Sequence, residues 1–263
     1  MIRVVKAEAR KLKRRSLLLS TFATVGGLSG LFTAIVYLMI NSASGNSKRG
    51  ERISALQLSQ PDGLVYGFKL VGAFLGIVAL CIFASQTAQE YTYGTLRNLL
   101  VRQPSRMKIL VGKFISMKIY ALLMVIFAGG FSIALSYSLA GHAKVSTAKW
   151  SSHAALVILG QTTLNIFIST LCFGTLGMIL GLLFRSPISA IATGVLWTLI
   201  LENIISALIA NTAKWMPGQN FSNIGEGGSA IASYKYSLLI SAIYLLLGSS
   251  LVAILFKRRD VAN

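Results

Sequence analysis

Side chains able to do chemistry are scarce in this chain. Seven Asp and Glu and two His are spread over 263 residues. Hydrolysis or metal chemistry needs such groups in clusters, a nucleophile beside a base or several ligands on one ion. His142 and His153 have no carboxylate or thiol near them in sequence, so they compose no metal set. Cys81 and Cys172 sit inside apolar runs and read as small buried residues without metal or disulfide spacing. No Gly-x-Ser-x-Gly elbow occurs, and no Gly-x-x-x-x-Gly-Lys-Ser/Thr phosphate loop; Gly112-Lys113 runs on into Phe114. The expectation is a chain with no catalytic residue, no metal and no bound cofactor. One acid, Glu202, lies within an apolar run, beside Asn203, with Asn165 and Gln161 in the preceding run as potential partners. An acid in lipid is expensive and must face a cavity, a polar partner or other helices. Two readings stand: Glu202, Asn203 and Asn165 contact a substrate or a proton in a pathway, or they are hydrogen-bonded packing residues.

Long apolar runs must position these groups. The composition is 54% hydrophobic and 12% charged, with a mean hydropathy of +0.70, whereas a soluble domain carries about 25% charged residues. A membrane span takes roughly 20 apolar residues. Six stretches qualify, at 17–40, 64–85, 109–140, 154–184, 188–210 and 236–256. The fold class expected is an all-α integral membrane protein of six spans, one domain over 1–263. The first run is too long for the apolar region of a cleaved signal peptide and is expected to be retained. Three Gly-x-x-x-Gly pairs, Gly26/Gly30, Gly72/Gly76 and Gly177/Gly181, mark faces where spans approach closely.

The net charge is +18. In a soluble protein that would point to nucleic acid; between apolar runs it marks loops facing anionic lipid, and no nucleic acid is expected. With the N-terminus inside, the inner segments hold 17 Lys and Arg and the outer segments 8. The excess puts both termini in the cytoplasm. Residues 1–16 are basic and amphipathic, with Ile2, Val5, Ala9 and Leu12 on one face and Arg3, Lys6, Arg10, Lys13 and Arg14 on the other. They suit a helix lying in the membrane interface, or a plain charged anchor of topology. Lys113 and Lys118 place the start of the third run at the headgroups, where lysine stems snorkel.

The stretch between the second and third runs is the most informative. Thr87 and Glu90 have capping-box spacing and predict a helix start, and Pro104 predicts its end. A helix over 87–103 would carry Tyr91, Thr95 and Leu99 on one stripe and Tyr93, Leu96 and Leu100 on the next. It is too apolar for a solvated loop and too short to span, so it should dock on a membrane surface or a partner protein.

The run Glu90-Tyr91-Thr92-Tyr93-Gly94-Thr95-Leu96-Arg97, with Leu99-Leu100, Pro104-Ser105-Arg106 and Gly112-Lys113, resembles the permease subunits of type-2 ABC transporters. The resemblance implies that 87–103 is a coupling helix seated in a cleft of a separate ATPase. Glu90, Tyr91, Gly94, Thr95, Leu96 and Arg97 would lie at or near that contact. It further implies a multi-pass protein of a bacterial plasma membrane. A second permease copy, or a related chain, completes an export pathway, and ATP and Mg are held by the ATPase alone. Closure of the ATPase dimer would move the coupling helix and tilt the spans. Short re-entrant helices are found in similar permeases between the last two spans, where this chain has 211–235. The same features fit a membrane sensor or assembly partner that recruits a cytoplasmic protein and transports nothing.

Overall fold

Apolar runs in lipid become helices because backbone polar groups there find partners only within a helix or a closed barrel. The computed structural model describes residues 2–42, 54–95, 105–209, 211–230 and 232–258. Among these residues the chain is helical throughout, with turns and no strand. Helix α1 is Ile2–Leu12, α2 Arg15–Ser42, α3 Ala55–Leu58, α4 Tyr66–Thr92, α5 Arg106–Ala140 and α6 His153–Phe184. Helix α7 runs over Pro187–Leu208, α8 over Pro217–Glu226 and α9 over Tyr234–Arg258. Six helices, α2, α4, α5, α6, α7 and α9, are long and apolar enough to cross a membrane.

The ends of these helices follow local chemistry. Helix α6 starts at the Ser152 cap, whose hydroxyl accepts from the Ala155 N–H, and stops at Arg185 in the left-handed region. Pro187 then occupies the first turn of α7, where its missing N–H costs nothing. The Thr87–Glu90 spacing does not start a helix. Both residues are buried inside α4, which continues past Ser85 to Thr92. The helix ends there because Gly94 adopts φ +63° and its N–H reaches back to the Tyr91 carbonyl. This is a glycine stop just beyond a helix end, not a glycine within one. The expected coupling helix at 87–103 therefore lies inside α4 over 87–92, breaks at Tyr93–Gly94 and is helical again at Thr95, while 96–103 falls outside the described residues.

The centre of the bundle is a parallel pair, α4 and α6. Successive contacts run in step along both: Gly72 against Ile166, Gly76 against Phe173, Gly177 against Leu80 and Gly181 against Ala84. Gly177 and Gly181 face the carbonyls of Leu80 and Ala84 directly, so the two backbones touch without side chains between them. The Gly26/Gly30 pair is looser, because a methyl group there would meet α5 side chains at ordinary contact distance. Gly177→Val should therefore lower the detergent melting temperature sharply, with overpacking costing about 1–3 kcal/mol or more. Gly27→Ala, with nothing within 4 Å, should leave it unchanged; equal melting of the two variants would remove the close seam.

Helices α2 and α5 form a second parallel pair on one flank. Their polar seam includes a Thr33–Ser132 hydroxyl contact of 2.8 Å. At the end remote from α1, Trp150 donates from Nε1 to the Leu58 carbonyl at 2.9 Å and fastens α3 to the α5–α6 turn. Helix α7 contains a widened π turn at Leu196–Leu201. Helices α7 and α9 turn most of their apolar residues outward.

Candidate functional site

Helix α1 lies across the start of α5. Val4 fills the space left by Gly112, and the Ser116 hydroxyl donates to the Val5 carbonyl at 3.0 Å. Val5, Ala9 and Leu12 of its expected apolar stripe lie on the seated side, with Leu12 buried. Glu8 sits in the same face and is only 4% exposed. One turn on, Lys11 closes on Glu8 at 2.7 Å, the spacing at which helix side chains meet.

Two further groups complete a ring. Glu90 points out of α4 and Lys113 out of α5, each under 10% exposed. The Lys11 Nζ reaches Glu90 Oε1 at 2.7 Å, and the Lys113 Nζ reaches the same oxygen at 2.7 Å. Lys113 also reaches Glu8 Oε2 at 3.2 Å and donates to the Gln86 carbonyl at 3.3 Å. Two carboxylates and two ammonium groups thus alternate around a closed ring of zero net charge that joins three helices. Burial works against the Lys11 ammonium, but the Glu90 carboxylate and hydrogen bonds to Glu8 and Glu90 outweigh it and hold its pKa above the usual lysine value. Its contribution to stability is complete at neutral pH and is lost only as pH rises through that elevated value. The space beside the ring is about 10 Å³, too little for more than one water. The ring ties helices together rather than holding a ligand.

The expected contact residues fall around this ring in different ways. Glu90 belongs to the ring itself. Tyr91 is half-buried, with the Arg185 guanidinium 5.4 Å from its ring centroid, a cation–π distance. Tyr93 and Gly94 form the exposed turn after α4, and the exposed Thr95 is helical again, its hydroxyl donating to the Glu90 carbonyl at 3.5 Å. Leu96 and Arg97 lie outside the described residues. Glu8, Lys11 and Lys113 were not expected as a set. The readable signal was Glu8, the single acid in a strongly basic N-terminal segment, three residues before Lys11.

The second expected group divides. Glu202 is fully buried, and its two oxygens accept from the Gly218 N–H at 3.0 Å and the Gln219 N–H at 2.9 Å. It caps the N-terminus of α8, where free N–H groups and the helix dipole favour an anion. Thr198 and Glu202, four residues apart on one face of α7, meet Gly218 so closely that a side chain at 218 would strike both. Asn203 accepts from the Gln219 amide at 3.0 Å. Asn165 is elsewhere: it lies against Gly227, past the other end of α8, roughly 15 Å along the helix from Gly218. Gln161 is exposed. Glu202 and Asn203 thus hold the start of α8, and Asn165 lies past its end.

Helix α8 itself is buried between α6 and α9. Phe221 stacks edge-on against Phe173 at 5.2 Å and joins Leu80, from the middle of α4. Asn223 donates to the Ala232 carbonyl and to the Ser237 hydroxyl at 2.8 and 2.6 Å, which ties α8 to α9. The connection at 211–235 thus folds back into the helical bundle. Elsewhere, His142 and His153 are exposed, and among the described residues no three His, Cys, Asp or Glu side chains come together to hold a metal.

Part of the chain is similar to YhcI, an uncharacterized protein of Bacillus subtilis (strain 168), with 27% identity over 205 residues. That match takes in 72% of this chain and 65% of the relative's own length. Residues 30–262, from within α2 to the C-terminus, match DUF2705, described as a protein family of unknown function, and the chain belongs to that family.

Proposed function

We propose that this chain is the transmembrane permease subunit of an ATP-driven transporter of the type-2 ABC kind. It crosses a bacterial plasma membrane six times with both termini in the cytoplasm and works as an exporter. It binds no nucleotide; a separate ATPase with ATP and Mg acts at the Tyr93–Arg97 segment, and a second permease copy or related chain completes the pathway. The observation that carries this reading is the buried ring. A push on the exposed turn after α4 reaches Glu90 within one helical turn, and from Glu90 it passes to α1 and α5 together. A ring of zero net charge with no room for a ligand suits transmission between helices. The excess of Lys and Arg in the same segments, 17 against 8, supports the orientation.

The test is copurification of the full chain with an ATP-binding subunit, followed by reconstitution and measurement of ATP turnover with candidate peptides, drugs and lipids. Arg97→Glu and Tyr93→Ala should each weaken ATPase retention by roughly tenfold, the loss of one good interface contact. Membrane insertion should survive, since Tyr93 is 72% exposed. A partner that binds but never turns over faster with any substrate would favour the sensor or assembly reading. Unchanged retention in both variants would remove the contact from this segment.

A further inference from the structure

At the α1 end of the bundle, helices α5, α6 and α9 do not close on one another. They leave a cavity of about 150 Å³, large enough for a benzene-sized stretch of hydrocarbon. Its walls include Leu110 and Phe114 of α5, Met178 and Leu182 of α6, and Ser249 and Val252 of α9. Counted at the helical rise, these residues lie within about 14 Å of the ends of their helices, inside one half-thickness of a bilayer core.

The rim is cationic. The Lys118 ammonium turns back toward the start of α5 and rests 4.4 Å from the centroid of Phe114, a wall residue. Arg185 caps α6 one turn beyond Leu182. Its guanidinium lies over Tyr91, which packs on the same apolar cluster as Phe114, Met178 and Val252. Arg185 Nε is buried without a hydrogen-bond partner, and neither cation pairs with a carboxylate among the described residues. Arg185 also holds a left-handed backbone, φ +55°, a conformation that costs energy outside glycine. Two cations without a carboxylate partner thus border the apolar slot, Arg185 at its mouth and Lys118 along its α5 wall, on a chain with a net charge of +18.

We infer that this cavity is a lipid site: an anionic phospholipid of the leaflet on the side of α1 inserts one acyl chain between α5, α6 and α9, and its phosphate faces Arg185 at the mouth. The inference needs the chain to span the membrane, as proposed above, but does not need it to transport anything. An uncharged hydrophobic substrate would leave the cations unexplained, and a lipid of zero net charge would gain less from them than an anionic one.

The test uses the full chain in nanodiscs of phosphatidylcholine doped with a phosphatidylglycerol that carries a photoreactive diazirine in its acyl chain. Labelled peptides should come from the cavity walls of α5, α6 and α9. Labelling there should fall about fivefold in Arg185→Gln, the worth of one cation beside an anionic headgroup. Ser249→Phe should block the slot, with Ser249→Leu as the milder variant should the first not fold. A phosphatidylcholine probe with the same chain should label the walls more weakly. Even labelling of all outward faces of α2, α7 and α9 would show ordinary surrounding lipid and overturn the inference. So would equal labelling by the two headgroups, or full labelling in both Ser249 variants. Success here with no ATPase partner found would leave the lipid site standing and the transporter reading failed.

Discussion

Replacing Glu90 by glutamine should be among the most destabilising single changes in this protein. The substitution leaves Lys11 and Lys113 sharing Glu8 alone, so a buried ring that was neutral carries an unpaired positive charge. Removing one partner of a buried ion pair costs about 3–5 kcal/mol, mostly the penalty of the charge left behind. The expected result is a large drop in detergent melting temperature and in folded yield. The double variant Glu90→Gln/Lys113→Gln restores neutrality and should recover much of the loss, although the pair itself is gone. That recovery separates the ring from simple packing: a cavity or shape defect would worsen with a second substitution. If the double variant melts below the wild type by the sum of the two single effects, the four charges do not act as a unit.

The second large effect is expected at Glu202. Alanine there removes the acceptors of the Gly218 and Gln219 N–H groups, held at 3.0 and 2.9 Å. Each buried donor left unsatisfied costs about 1–3 kcal/mol, and the dipole of α8 loses its anion. Helix α8 should loosen from α6 while the long helices persist. Hydrogen exchange read by mass spectrometry should show lost protection across Pro217–Glu226 and little change in α4. Glutamine keeps one carbonyl oxygen and should give an intermediate result. Unchanged protection in Glu202→Ala would mean that the packing of Phe221 and Ile224 and the Asn223 hydrogen bonds suffice to hold α8 in place.

The six long helices were legible because apolar length is a local property. Their bounds agree to within a few residues except at α4, and that exception is instructive. Thr-x-x-Glu opens a helix when the chain arrives from a turn, but the same letters are simply neighbours on one face when the helix is already under way. Only the contacts of Glu90 with α1 and α5, residues far away in sequence, decide between the two. Gly94 entered only through the resemblance, as a contact residue within a helix, whereas its φ of +63° makes it the stop of α4. Glu202 was flagged correctly as a buried acid needing a partner. The partner proved to be a helix end 16 residues later, whereas the polar side chain in the preceding run, Asn165, sits past the other end of that helix. Polar residues in lipid announce that they are paired; their sequence does not announce with what.

The backbone contact between α4 and α6 has a mechanical meaning. Two rods glued along several turns resist bending and sliding far more than two rods cushioned by flexible side chains. A displacement at the Glu90 end would travel only about 15 Å along the pair to reach α8 through Phe173 and Leu80, with little lost to give in between. The compliant joints lie elsewhere, in the widened turn of α7 and the sparsely packed α9. A moving version of this molecule would keep one stiff central beam and flex at its margins.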